Sequence, residues 1–147
     1  MAESSEVNAR LWVAPGHATY VGPSLKLDTH TGSVACLVLG LDGTFDVDVA
    51  GHRITGITSA LIPPRIPHKI TAEGRTMAFG YLDPATASVD ACRARMTQRH
   101  PIAVAHRDEE TLRTTSGNEL IEAATGSRTP FPADPRIVAA TRTLHSP

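Results

Sequence analysis

The sequence of 147 residues has few cysteines and no cluster of basic residues. Its two cysteines are too few for a disulfide framework, so a packed core must hold the fold together. Lysine occurs twice beside twelve arginines, no basic run is present, and the net charge is −1. Because phosphate contacts need clustered Lys and Arg, these features argue against nucleic acid as a partner of this chain alone.

Long apolar segments are also missing. The longest uninterrupted apolar run is too short to span a bilayer, and the polar N-terminus, MAESSEVNAR, has no hydrophobic core of a signal peptide. Cys36 and Cys92 lie in apolar segments, as is typical of reduced thiols in a cytoplasmic protein. We therefore predict a cytoplasmic chain with one main core and no membrane partner.

Short β-like runs with turn signals between them fill the first part of the chain. Phe45, Val47 and Val49 alternate with Asp46 and Asp48, which is the pattern of a half-buried strand. The run SVACLVLG is apolar on both strand faces, as expected of a central strand. Many short, evenly spaced strands predict an antiparallel barrel or sandwich over residues 1–83.

The glycine-punctuated alternation fades after Asp83. Asp83-Pro84 is typical of a helix start, and Val89, Cys92 and Met96 follow at helical spacing. A weaker helical pattern lies between residues 108 and 124, and DPRIVAATRTLH repeats the Asp-Pro start. The predicted organisation is mostly β with C-terminal helices: a barrel over 1–83 and a helical appendix over 84–147.

The segment LIPPRIPHKI, residues 61–70, joins a rigid turn to a histidine. Its three prolines fix φ and suppress helix, so the strand that carries His68 begins at a defined place. His30 lies near a predicted strand end far away in the sequence. This separation suits the opposite side of one barrel mouth, and we expect both histidines to lie there.

This proline segment resembles the second conserved motif of the cupin superfamily, Pro-x-Gly-x-x-His, with Pro63 and His68 in register and Arg65 in the glycine place. The resemblance implies a cupin-like antiparallel β-barrel of the jelly-roll type. Residues 30–43 resemble the first cupin motif, in which two histidines precede a glutamate and a closing glycine; His30 matches the first histidine.

Two positions of the first cupin motif depart from the family pattern. Gly32 stands where the second histidine belongs, and Cys36 stands where the glutamate belongs. A cupin metal site usually offers three histidines and a carboxylate, whereas this chain keeps His30 and His68 with one thiol. We therefore predict no metal and no other cofactor; His30, Cys36 and His68 are weak candidates for metal ligands.

The arrangement of the whole chain resembles the N-terminal half of AraC-type transcriptional regulators. The stretch from LVLGLDG through ALIPPRIPHKI to GYLDP, followed by helices and DPRIVAATRTLH, carries this resemblance. It implies an effector-sensing and dimerisation domain, with DNA binding only in a longer parent protein. In the family two helix-turn-helix units follow the Asp-Pro-Arg-Ile segment, and we expect them after Pro147.

The predicted function is therefore small-molecule sensing by a homodimer, and an enzymatic role is not favoured. Candidate ligand-binding residues are His30, His68, Tyr81, Trp12 and Phe45, and no catalytic residue is assigned. We expect the helical stripe of Val89, Cys92 and Met96 to pack on the barrel of its own chain. Alternatively, the face formed by Leu112, Leu120 and Ile121 meets its copy across a two-fold axis. Two alternatives stay open: a stand-alone cupin enzyme that uses His30 and His68 in acid–base chemistry, and a non-catalytic binding protein.

Overall fold

The computed structural model describes residues 9–25, 28–99 and 101–126. These ranges contain ten strands, three short α-helices and one 3₁₀ turn, Gly117–Glu119. The predicted helix over DPRIVAATRTLH lies outside them. The strands are β1 (Arg10–Ala14), β2 (His17–Pro23), β3 (Ala35–Gly40), β4 (Phe45–Val49), β5 (His52–Ile57), β6 (Ser59–Ile62), β7 (His68–Thr71), β8 (Thr76–Leu82), β9 (Met96–Arg99) and β10 (Ala103–His106). The helices are α1 (Ser88–Arg93), α2 (Glu109–Thr114) and α3 (Leu120–Thr125).

All described strand pairs are antiparallel, and they form two sheets. The larger sheet has seven strands in the order β1-β2-β8-β3-β6-β10-β9, and the smaller sheet has three in the order β5-β4-β7. This architecture confirms the predicted fold class, a mostly antiparallel, cupin-like β fold with few helices. No helix in the described ranges is long and apolar enough to cross a bilayer.

Side-chain alternation separates two apolar cores on the two faces of the larger sheet. On β3, Val38 packs in the core shared with the small sheet, whereas Leu37 and Leu39 pack in the core beneath the helices. Both faces of this strand are therefore buried, as its sequence predicted. In the small sheet, Phe45 and its neighbours on β4 face inward. Asp46 and Asp48 face outward, and their carboxylate oxygens form salt bridges with the Arg53 guanidinium at 3.1 and 2.9 Å.

The prediction of helix and loop after residue 83 is wrong for two segments. Met96 begins β9 and pairs with His106 on β10, and β10 joins the large sheet beside β6. The helical spacing of Val89, Cys92 and Met96 was misleading, because α1 ends after Arg93 and Met96 reaches the same core from a strand. The large sheet therefore contains strands from both sides of residue 83, and the division into two domains stays a prediction.

The predicted helix start at Asp83-Pro84 is also displaced. The Asp83 carboxylate accepts a hydrogen bond from the Ala85 backbone N–H at 2.9 Å, which makes a local turn, and α1 begins only at Ser88. Asp and Asn side chains form such turns readily, and this competes with helix initiation.

The helices α2 and α3 cover the outer face of the large sheet. Leu112, Leu120 and Ile121 are 1%, 2% and 4% exposed and pack in one core with residues of β3 and β8. The face that was predicted to meet a second copy packs within its own chain instead. These side chains are therefore not available to a second copy, and the homodimer stays a prediction from the family resemblance.

Candidate functional site

A small, mostly apolar cavity lies between the two sheets at one end of the barrel. Its volume is about 70 Å³. Since one water takes up roughly 30 Å³ of liquid volume, a space of this size holds a few non-hydrogen atoms. None of its lining residues is Lys, Arg, Asp or Glu. They are Leu25, His30, Gly32, Val34, Cys36, Ile62, His68, Ile70, Phe79 and Tyr81.

His30 and His68 are neighbours, not residues on opposite sides of the mouth. They form an isolated antiparallel bridge in which each backbone N–H donates to the other's carbonyl at 3.0 Å. Their ring centroids are 4.6 Å apart and the ring planes meet at 53°. The sequence could not predict this pairing, because it depends on a backbone contact between two distant segments.

The proline turn before His68 is tied to the same segment. The Arg65 N–H donates to the carbonyl of Gly32 at 2.7 Å, and Arg65 has a φ of 64°. A positive φ is the conformation that glycine adopts without strain, and Arg65 occupies the glycine place of the cupin motif. The turn therefore keeps the backbone shape that the motif glycine favours, and it fixes His68 at the start of β7.

The ring hydrogen bonds of both histidines define which nitrogen remains available. Nδ1 of His30 lies 3.0 Å from the Asp28 carbonyl, and Nδ1 of His68 lies 2.9 Å from the Ile66 carbonyl. Because a carbonyl oxygen only accepts, each Nδ1 carries the hydrogen. In the neutral rings each Nε2 is therefore an acceptor, and neither forms a hydrogen bond within the described part of the chain.

The two rings differ in burial. His30 is exposed, whereas His68 is 7% exposed. Burial lowers the pKa of His68, the hydrogen bond to the Ile66 carbonyl opposes this shift, and the neighbouring charge of His30 adds to it. His68 is accordingly a neutral acceptor at neutral pH.

Tyr81 and Cys36 complete the polar part of the cavity. Burial is the main cause that raises the pKa of Tyr81 to about 12, and burial likewise raises the pKa of the Cys36 thiol to about 12. Both groups are therefore protonated at neutral pH. Tyr81 shares its sheet face with Phe79, as alternation predicted, and the two ring centroids are 6.4 Å apart.

The other two candidate ligand residues lie outside this cavity. Trp12 packs on the outer face of the large sheet against Gly117 of the 3₁₀ turn, where a Cβ would collide with its ring. Phe45 is 2% exposed and fills the core between the sheets. Both side chains contribute packing, and the cavity contains only His30, His68 and Tyr81 of the five predicted ligand contacts.

The cavity's donor set does not fit the metal site that the cupin resemblance implies. The cavity brings together two imidazoles and a thiol whose pKa is about 12, and Gly32 has no side chain where the motif's second histidine would lie. In the described ranges no group of three or more His, Cys, Asp or Glu side chains could hold a metal ion. A full cupin ligand set is thus not assembled from these residues.

A second buried polar cluster, centred on His106, was missed by the sequence analysis. His106 is 3% exposed; its Nε2–H donates to the Ala124 carbonyl at 2.8 Å, and its Nδ1 accepts from the Asp108 N–H at 2.9 Å. Its backbone N–H donates to Ser59 Oγ at 2.7 Å, and that hydroxyl donates to the Glu109 carboxylate. The cluster ties β6 and β10 to α2 and α3. The run IAVAH before an acidic helix start is the signal for this strand end.

No protein-family model and no curated protein matches this chain. Solved structures similar to about half of it include a protein from Neisseria meningitidis, with 19% identity and a TM-score of 0.45 over 56% of this chain and 89% of the other. A cupin 2 conserved barrel domain protein from Leptotrichia buccalis has 24% identity and a TM-score of 0.41 over 56% of this chain and 44% of the other. A cupin protein from Bacteroides fragilis has 11% identity and a TM-score of 0.44 over 58% and 84% of the two chains.

Proposed function

We propose that this chain is the small-molecule-sensing and dimerisation domain of an AraC-like transcriptional regulator. The observation that carries the sensing part is the apolar cavity, whose lining includes Tyr81 and the His30–His68 pair as polar groups. Ligand sites are typically apolar concavities with a few polar groups that orient the bound molecule. The regulator context and the dimer are supported by the sequence resemblance alone.

Chemistry at the cavity supports binding more than catalysis. Tyr81 and Cys36, with pKa values of about 12, are neither bases nor nucleophiles at neutral pH. The lining contains no carboxylate and no permanent cation that could stabilise a charged transition state. Such a lining suits reversible occupancy by a molecule.

The second candidate function, a stand-alone enzyme, has one observation in its favour. The buried ring of His68 keeps a free Nε2 lone pair beside the second imidazole of His30, and a neutral imidazole is a competent general base. In this function His68 would take a proton from a substrate in the cavity, and the exposed His30 would exchange it with solvent.

The test of ligand binding is a thermal-shift screen of small molecules, followed by calorimetry on each compound that stabilises the protein. A ligand at a hundred times its Kd adds about 2.7 kcal/mol to the free energy of unfolding. The stabilisation should fall in His68→Gln and in Tyr81→Phe. His52→Gln is the matched control, because Nδ1 of His52 also lies 3.0 Å from the carbonyl two residues earlier but the ring is outside the cavity.

Several outcomes separate the candidate functions. Stabilising compounds that bind equally well to the His68 and Tyr81 variants would exclude this cavity as the sensing site. Turnover of a bound compound that disappears in His68→Gln would favour the enzyme. A mass in solution that stays monomeric at all concentrations, with and without ligand, would refute the dimerisation part, and a reading frame without helix-turn-helix units after this segment would refute the regulator part.

A further inference from the structure

The cavity lacks a charged group that could balance a charged ligand. Its lining consists of six apolar or glycine residues with two histidines, a cysteine and a tyrosine. A buried carboxylate or phosphate without a cation costs several kcal/mol, and so does a buried ammonium without an anion. The lining therefore favours a neutral ligand at a pH above the ordinary histidine pKa of 6.5.

The hydrogen-bond donors and acceptors in the cavity restrict the chemical class of the ligand further. The Nδ1–H groups of both histidines are used by backbone carbonyls, which leaves an acceptor, Nε2, on each ring. The Tyr81 phenol is protonated and forms no hydrogen bond within the described ranges, so it is a donor that a ligand can use. A ligand that satisfies both sides must donate one hydrogen bond and accept another.

A hydroxyl is the smallest neutral group with both roles. A ketone accepts from Tyr81 but gives nothing to an imidazole, and a carboxylate would place its oxygens against the lone pairs of the two rings. His68 is the acceptor that gains most, because it is 7% exposed whereas water can serve the exposed His30. A volume of about 70 Å³ leaves room for a hydroxyl and a few carbons.

We propose, resting on the sensing function proposed above, that the cavity binds an alcohol whose hydroxyl donates a hydrogen bond to Nε2 of His68 and accepts one from the Tyr81 phenol. The rest of this ligand is a short apolar skeleton. The skeleton contacts Ile62, Ile70 and Phe79.

The experiment compares three probes of similar size on the full chain: butan-2-ol, butan-2-one and the isobutyrate anion. Affinities come from NMR titration of the cavity resonances above pH 6.5, and the ¹⁵N shift of His68 Nε2 reports the hydrogen bond directly. We expect the alcohol to bind about fivefold more tightly than the ketone, the worth of one net hydrogen bond. His68→Phe should remove this preference, and Tyr81→Phe should weaken both neutral probes and leave their ratio unchanged.

His52→Phe is the control and should leave all three affinities unchanged. If His68→Phe fails to fold, the ratio of the alcohol and ketone affinities and the ¹⁵N shift of His68 Nε2, both measured on the unmodified chain, still test whether the ligand donates a hydrogen bond to His68. A ketone that binds as tightly as the alcohol overturns the donor role, and an anion that binds more tightly overturns the neutral class; in both cases small-molecule binding survives. Absence of binding by all three probes also overturns the hydroxyl ligand, while the sensing function is decided by the broader screen.

Discussion

The packing of α3 on the large sheet can be tested at a single methyl group. Gly80 on β8 lies beneath Ile121, and a Cβ added at Gly80 would lie 2.6 Å from Cδ1 of that side chain but 4.0 Å from its Cγ1. Ile121 is 4% exposed, so its terminal methyl has little space to move. Gly80→Ala should therefore destabilise the protein, whereas Ile121→Val removes the one carbon that obstructs the new methyl.

The magnitudes follow from four effects of opposing sign. Overpacking costs about 1–3 kcal/mol, and the reduced entropy of the unfolded chain returns about 0.4–1 kcal/mol, so Gly80→Ala should cost about 1 kcal/mol. Ile121→Val alone should cost about 1 kcal/mol through the lost methyl and its cavity. In the double variant the alanine methyl fills that cavity, which restores about 0.8 kcal/mol of burial. Its stability should lie within about 0.5 kcal/mol of the unmodified chain.

Urea unfolding followed by the fluorescence of Trp12, the single tryptophan, measures these differences. Ile62→Val supplies the control: Ile62 belongs to the core on the other face of the sheet, two strands from Gly80, so its combination with Gly80→Ala should be additive. A double variant with Ile121→Val that loses about 2 kcal/mol, the additive sum, would show that α3 does not sit over Gly80.

Three further predictions concern buried polar groups. Ser59→Ala leaves a buried backbone N–H and a carboxylate without their hydrogen-bond partner. It should therefore lower the free energy of unfolding in urea melts by about 2 kcal/mol, whereas Ser33→Ala, at an exposed position, should change it by less than about 0.5 kcal/mol. Equal losses in the two variants would contradict the hydrogen-bonded cluster. Because burial lowers the pKa of His68, the unfolded chain takes up a proton first as pH falls below 6.5, and stability should decline there and then level off below the lowered pKa. His68→Gln should reduce this decline in stability. The part that His17 contributes should remain, because burial lowers the pKa of His17 as well. A pH profile of stability that does not change in His68→Gln would refute the role given to His68. With a pKa of about 12, Cys36 should react with a thiol reagent at pH 8 about a thousandfold more slowly in the native chain than in urea, and rapid native labelling would contradict its desolvation.

The strands and the two candidate histidines, taken singly, could be predicted from the sequence because they depend on local signals. Alternation along β4 and the apolar run of β3 predict their burial, and three prolines place His68 at the start of a strand. The positions of these elements relative to one another could not be predicted from such local signals. The contact of His30 with His68 requires a backbone bridge between distant segments, and the sequence separation suggested opposite sides of the mouth instead.

The segments after residue 83 show a second reason why a prediction from the sequence fails. Cys92 and Met96 face one core at helical spacing, yet a strand begins at Met96, because tertiary pairing with β10 decides a segment too short to have a strong preference of its own. His106 was overlooked for a related reason: a histidine at the end of a short apolar run carries no motif, and its role depends on carbonyl and amide groups of other elements.

A sensing domain needs a physical connection between its cavity and the element that responds, and alternation along β3 and β8 supplies one. Cys36 and Tyr81 line the cavity on one face of the sheet, while the next residue on β3, Leu37, and the preceding residue on β8, Gly80, face the core beneath α3. A ligand that orders these strands should therefore also stabilise the contact of α3 with Gly80, since both contacts belong to the same backbone. We expect slower hydrogen exchange of the α3 amides when a cavity ligand is bound, and no change in Tyr81→Phe at a ligand concentration too low to fill its weakened site. If ligand binding left α3 exchange unchanged, the cavity would bind without signalling to the helices, and the simpler role of a binding protein would replace that of a sensor.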